Sequence, residues 1–378
     1  MLIFLGVMLL VYGSMHFYAF SKVWFAFPHS WTLAVMLGAA GVALTCLPLL
    51  LWFVERQGWH RAALAAAWLS YGWMAYLFLF LCIGLVHDLG FMLARMMHLA
   101  WPVSPMGTLR IVALFALILL AYGFLEARRI RIERIDIVTP KLASGHVTLA
   151  QISDLHLGIM QGDRLLDRIL PKLQALKPDI VVATGDIVDG QGDNFEALAK
   201  RFQSNRPPLG AWAVTGNHEY YAGLAHSLGF LRNAGFTVLR GESVKVGGIV
   251  LVGVDDPAVT QSMRQADAQE AGALASAGRE AFVVLLKHQP RVNEDSRFDL
   301  QISGHIHGGQ IYPFVYFTRM AYKFHTGLTE LADGRKLYVS RGAGTWGPPV
   351  RLFAPPEIAL ITISSAAAGH EDAKPPAE

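Results

Sequence analysis

At 378 residues the chain has room for two domains, and its 53% apolar content is unevenly spread. The formal charge of +3, with no Lys/Arg run interleaved with aromatics in the polar part, argues against a nucleic-acid partner. The two cysteines, Cys46 and Cys82, both lie in apolar segments, which excludes a disulfide framework or cysteine-based zinc site in the polar part.

Residues 1–126 read as a transmembrane region of about four helices, at 2–20, 31–54, 62–86 and 108–125. Each stretch approaches the ~20 residues a helix needs to cross a hydrocarbon core of ~30 Å. The first lacks a basic leader and a small-residue cleavage site, so it reads as a retained helix and not a signal peptide. The short loops set the expected orientation. Arg56, Arg61, Arg128, Arg129, Arg131 and Arg134 fall on one side, and Lys22, Arg95 and Arg110 on the other. This bias puts the C-terminal domain in the cytoplasm, tied to a multi-pass cell-membrane anchor. Residues 87–107, with Arg95, His98 and Trp101, read as an interfacial loop or short amphipathic helix with Trp101 at headgroup level.

Residues 127–140 form a basic linker and a first strand, whose alternation through Ile132, Ile135 and Ile137 marks a half-buried element. Strands follow at 147–152, 179–184 and 210–215, separated by helical patterns through Leu165, Leu166, Ile169, Leu170 and Leu173 and over 195–202. Further strands are expected at 249–254, 281–286, 300–302, 337–340 and 358–363. The Ala/Pro/Glu-rich tail, 364–378, reads as disordered.

Five polar clusters stand at strand ends: Asp154-Leu155-His156, Gly185-Asp186, Gly216-Asn217-His218-Glu219, His288, and Gly304-His305-Ile306-His307. Ligands of such sheets bind outside those ends. Carboxylates, an amide and imidazoles together suit Mn, Fe or Zn. If the x-spaced pairs Asp154/His156 and His305/His307 continue their strands, each pair points to one face.

These clusters resemble the calcineurin-like metallophosphoesterase superfamily, whose signature is D-x-H, G-D-x-x-D, G-N-H-[DE], a single His and G-H-x-H. The resemblance runs from about residue 147 to 307. Ser153 to His156, Gly304 to Gln310 and Arg341-Gly342-Ala343-Gly344 bring it nearer to membrane-linked bacterial phosphoesterases, some of which cleave the pyrophosphate of UDP-2,3-diacylglucosamine. It implies a four-layer α-β-β-α sandwich spanning 141–363, behind a multi-pass α-helical membrane region. It also implies two divalent ions: Asp154, His156 and His307 on the first, Asn217, His288 and His305 on the second, and Asp186 bridging. His218 would then protonate the leaving oxygen, while hydroxide generated between the ions attacks phosphorus.

Other residues leave two readings open. Asp189 either orients a ligand or forms a turn or helix cap, and Glu219 either fixes His218 or marks a helix start. Asp255 and Asp256 precede Pro257 as a turn. His325 and Arg351 are candidates for substrate contact on C-terminal loops. His146 and His226 read as surface residues, and Tyr220, Tyr221 and Trp346 as lipid or base contacts or packing. The expected activity is hydrolysis of a phosphodiester or pyrophosphate, with a membrane lipid favoured because tethering concentrates such a substrate. Two alternatives remain: a phosphomonoesterase or nucleotide diesterase with a simple anchor, and a non-catalytic membrane sensor or scaffold.

Overall fold

The computed structural model describes residues 2–190, 195–278 and 280–366. Contacts divide the chain into two compact units, Met1–Leu125 with Gly347–Leu352, and Glu126–Trp346 with Phe353–Glu378.

The first unit is built on four helices: α1 (Leu2–Ala26), α2 (Trp31–Arg56), α3 (His60–Met96) and α4 (Pro105–Glu126). Ser30 caps α2, its hydroxyl accepting from the Leu33 N–H at 3.1 Å. Among the described residues, α2, α3 and α4 are long and apolar enough to cross a membrane. Four such helices were expected. The first of them also forms as a helix, α1, over Leu2–Ala26.

One departure concerns residues 87–107, read as an interfacial loop or short amphipathic helix. About half of them continue α3, which runs unbroken to Met96, and the last three open α4. At ~1.5 Å per residue its 37 residues reach ~55 Å, more than a hydrocarbon core requires. His87 and Asp88 do not end the helix because they find partners on its neighbours. The Lys22 ammonium lies 2.5 and 2.6 Å from the two Asp88 oxygens, the Tyr18 hydroxyl donates to Asp88 at 2.8 Å, and Thr108 pairs with His87 at 3.1 Å. Trp101 packs edge-on against His87 and Phe91.

The second unit begins with β1 (Arg131–Thr139) and β2 (His146–Ile152), then α5 (Asp163–Leu176), β3 (Ile180–Thr184), α6 (Phe195–Gln203), β4 (Ala211–Val214), α7 (Asn217–Tyr221) and α8 (Leu224–Asn233). It continues with β5 (Phe236–Val238), β6 (Glu242–Val246), β7 (Ile249–Gly253), α9 (Pro257–Thr260), α10 (Met263–Ala275), β8 (Phe282–Leu286) and β9 (Leu300–Ser303). After a single 3-10 turn, His307–Gly309, come α11 (Val315–Ala321), β10 (Gly327–Glu330), β11 (Lys336–Val339) and β12 (Glu357–Ser365). β12 therefore enters the stretch read as a tail, and residues 367–378 lie outside the described residues.

Two six-stranded mixed sheets result, ordered β1-β12-β2-β3-β4-β5 and β10-β11-β9-β8-β7-β6. β1 pairs with β12 and not with β2, in parallel register Ile135↔Ile361. The sheets face one another across a shared apolar layer of Leu149, Val182 and Ile361 from one and Leu251, Val284 and Ile302 from the other. On the outer face of the first sheet α5, α6 and α8 contribute Leu166, Ile169, Leu198 and Leu231. On the outer face of the second, α10 contributes Ala273 and Leu274. The order of layers is α-β-β-α, as expected. The strands missed in the sequence, β5, β6 and β10, are edge or near-edge elements whose half-exposed residues carry little alternation.

Candidate metal centre

The five clusters occupy the loops after β2, β3 and β4 in one sheet and after β8 and β9 in the other, so both sheets deliver side chains to one place. The His156 Nε2 lies 3.0 Å from the His307 Nε2, and the His307 Nε2 lies 3.4 Å from Asp154. Beside them, the His288 Nε2 is 3.1 Å from Asp186 Oδ2, 3.2 Å from Asn217 Oδ1 and 3.0 Å from His305 Nδ1. The same Asp186 oxygen is 4.0 Å from the His156 Nε2, which puts it between the two groups. Asp154, Asp186 and His288 are buried, while Asn217 and His218 are half-exposed and form the open side.

The i,i+2 spacing was expected to work through strand alternation, but neither pair lies on a strand. Asp154, His156, Asp186, His305 and His307 all have φ between 50 and 74°. A left-handed backbone costs ~1–2 kcal/mol at a non-glycine residue. Five of the seven candidate ligands thus sit in a conformation that local sequence disfavours, and the surrounding fold holds them there. Gly304 shows how tight the fit is. A Cβ at this position would lie 2.1 Å from the Ser153 Oγ and 2.2 Å from Asp154 Oδ2.

Hydrogen bonds outside the cluster orient the ligands. The Thr184 carbonyl accepts from the His288 Nδ1 at 2.8 Å, and the Asp154 carboxylate accepts from the His305 N–H at 3.0 Å. The Tyr322 hydroxyl meets the His305 Nε2 at 2.7 Å, a contact that nothing near Tyr322 in the sequence signalled. Behind Asp154, the Ala343 and Gly344 N–H groups donate to the carbonyls of Ser153 and Asp154 at 2.9 and 3.0 Å. This accounts for the Arg-Gly-Ala-Gly run.

Glu219 does not hold His218, as one reading had it. Its buried carboxylate turns away and accepts from the N–H groups of Asp186, Ile187, Val188 and Gly216, at 2.7–3.0 Å. One side chain thereby ties the loop after β3 to the loop after β4. Asp189 is the residue that meets His218: its Oδ1 lies 2.8 Å from the His218 Nδ1, and its Oδ2 3.5 Å from the His156 Nδ1.

Charge follows from these contacts. Burial opposes a cationic His218, but the Asp189 hydrogen bond and the Asp186, Asp189 and Glu219 carboxylates outweigh it and raise the ring to about 9. Burial likewise opposes the Asp186 charge, yet His288, His218 and His156 hold its carboxyl well below the usual carboxylate range. Burial and the neighbouring His288 push His305 down to about 3, leaving it a neutral imidazole with a lone pair to offer.

Of the remaining candidates, only Tyr221 and Trp346 meet His218 among the described residues. Arg351 is fully buried, with its N–H donating to the Gly123 carbonyl at 3.0 Å, so its side chain has no surface to offer a substrate. His325 is half-buried and is absent from every potential metal group among the described residues. Asp255 and Asp256, read as a turn before Pro257, are buried where the chain enters α9. Asp255 accepts from Thr215 and Arg240, while Asp256 caps α9 through the Ala258 N–H. His146 and His226 are exposed. Tyr221 and Trp346 are exposed and flank His218 edge-on, at 5.5 and 5.7 Å between ring centroids.

Three groups bring ligand atoms within 4.8 Å of one another: Asp154/His156/His307, Asp186/His288/His305 and His156/Asp189/His218. The first two share a wall. Imidazole nitrogens aimed at each other, with carboxylate and amide oxygens converging on them, carry more lone pairs than the protons present can serve. Divalent cations satisfy such a set, and the N/O mixture fits a transition-metal ion.

Fold and donors together define a two-sheet α/β hydrolase of the metal-dependent phosphoesterase class. The chain belongs to the calcineurin-like phosphoesterase family, which matches residues 147–309 and so takes in every cluster. A relative from Aquifex aeolicus, named an uncharacterized metallophosphoesterase, is 43% identical over 255 residues, 66% of this chain and 97% of its own length. A metallophosphoesterase of Helicobacter pylori strain 26695 is 33% identical over 66% of this chain and 69% of its own. A Danio rerio relative named a transmembrane protein with metallophosphoesterase domain is 30% identical, over 66% of this chain and 61% of its own. The family is dimetal-dependent and hydrolyses phosphoric esters.

Proposed function

We propose that this protein is a multi-pass membrane phosphoesterase with a binuclear centre, hydrolysing a phosphodiester or pyrophosphate. The observation that carries the reading is the pair of donor groups sharing Asp186, whose Oδ2 faces His288 on one side and His156 on the other. Asp154, His156 and His307 would hold the first ion and Asn217, His288 and His305 the second, with Asp186 placed to serve both. Divalent ions bound there would lower the proton affinity of water and draw charge from the phosphoryl oxygens.

The protein's own groups supply the rest. Tyr322, Thr184 and the backbone N–H of His305 keep the ligands aimed, so little reorganisation is needed during reaction. Asp189 turns the His218 Nδ1 towards itself and stabilises the protonated ring. His218 therefore carries a proton near neutral pH and gives it to the leaving oxygen.

Helices α2–α4 and the transmembrane relative support attachment to the cell membrane. The arginine bias supports a cytoplasmic catalytic domain. That domain and the 55–61 turn are separated by α3 and α4, so they share a side whether or not α1 spans. Tethering favours a lipid substrate. Purified protein in nanodiscs with Mn²⁺ should hydrolyse bis-p-nitrophenyl phosphate, and Asp186→Ala or His218→Ala should abolish this. Wild type as inert as His218→Ala across Mn²⁺, Fe²⁺ and Zn²⁺ would favour the non-catalytic scaffold.

A further inference from the structure

The loop after the His305/His307 pair carries an apolar surface that the chemistry above does not use. Tyr312, Phe314, Tyr316, Phe317 and Met320 all project outward, and α11 buries none of its residues. Met320 is 85% exposed and Phe317 58%. Phe353 joins them, its ring 5.9 Å from that of Tyr312. A contiguous apolar patch of this kind on a folded domain marks a binding surface, since water penalises it at every position.

Its chemistry selects the occupant. Residues 311–324 contain no acid, and Arg319 and Lys323 are exposed among the aromatics. Tyr312 and Tyr316 join through their hydroxyls at 3.1 Å, presenting polar tips on aromatic bodies. Phe and Met for the acyl boundary, Tyr for headgroup depth and cations for lipid phosphates make up the composition of an interfacial segment. Among the described residues neither Arg319 nor Lys323 forms an ion pair, and anionic headgroups supply the complementary charge while acyl chains take up the exposed Phe and Met. The segment also closes on Tyr322, which touches His305.

We propose that residues 312–320, with Phe353, insert into the headgroup–acyl boundary of an anionic lipid bilayer and bring the metal centre to the membrane surface. This deepens the reading of a membrane phosphoesterase by naming the surface from which its substrate arrives.

A nitroxide reports insertion without turnover, so failure here is separable from failure of the phosphoesterase reading. In full-length protein with Cys46→Ser and Cys82→Ser, the label is placed by Met320→Cys, and in a control by Glu196→Cys, an exposed position on α6. Both are reconstituted into vesicles containing phosphatidylglycerol. The expected result is an oxygen-to-nickel-chelate collision ratio several-fold higher at 320 than at 196. Equal ratios would mean the patch faces water and would overturn the proposal. Low collision with both reagents at 320 would mean a protein surface covers it, and would overturn it too. Arg319→Glu with Lys323→Glu should lower the ratio at 320 towards that of the control.

Discussion

The Asp189 carboxylate stands 2.8 Å from the His218 Nδ1 and 3.5 Å from the His156 Nδ1, joining the proposed acid to a metal-ligand candidate. The raised pKa of His218, about 9, keeps its acid form present at neutral pH and loses it as pH rises through that value. Bound dications act in the opposite direction, so the loaded protein should lose its acid form below pH 9. Asp189→Asn removes one of the raising groups. Its alkaline limb in kcat/KM should therefore move to lower pH by ~1–2 units, and a pH profile against wild type checks this. An unmoved limb would show that Asp189 does not govern the proton.

Asp186 faces both donor groups, so its loss should affect both ions. Asp186→Ala should bind at most one equivalent of Mn²⁺ where wild type binds two, measured by elemental analysis after dialysis. Retention of two equivalents would sink the bridging role.

Glu219 serves four backbone N–H groups through one buried carboxylate. Glu219→Gln replaces an acceptor oxygen with a donor that faces those donors. The expected cost is ~2–3 kcal/mol, or a fall in Tm of roughly 5–10 °C. Metal affinity should weaken ~10–100-fold, because the loop bearing Asp186 loses its anchor. Thermal melts and metal titration of the same sample separate the two effects.

Tyr322→Phe deletes a single hydroxyl, the one 2.7 Å from the His305 Nε2. Affinity at the second metal position should drop ~10-fold, with Tm nearly unchanged because Tyr322 is only partly buried. Competitive titration with a chelating dye measures it. An unchanged affinity would reduce Tyr322 to packing.

Much of this protein was legible before folding was considered. Leu165, Leu166, Ile169, Leu170 and Leu173 marked α5 by spacing alone and are its buried face. The apolar runs marked the N-terminal helices, and glycine-flanked Asp, Asn and His at strand ends marked the family. These signals are local: period, composition and short motifs lie within one stretch of chain. Where local reading failed, the deciding partner was distant. The sequence predicts the third helix over 62–86, yet it continues past Asp88, which pairs with Lys22, 66 residues away. Glu219 reads in the sequence either as fixing His218 or as marking a helix start. It does stand in the first turn of α7, but its carboxylate serves N–H groups at 186–188, more than 30 residues back.

The donor types and their order are therefore properties of the sequence by itself. Their convergence is not. The paired ligands meet because left-handed residues after β2, β3 and β9 turn side chains inward, and because two facing sheets bring those loops together. Both depend on long-range packing strong enough to hold conformations that the local chain disfavours. The apolar loop 312–320 likewise became a surface only in three dimensions, since the sequence alone could not distinguish an exposed Phe317 from a buried one.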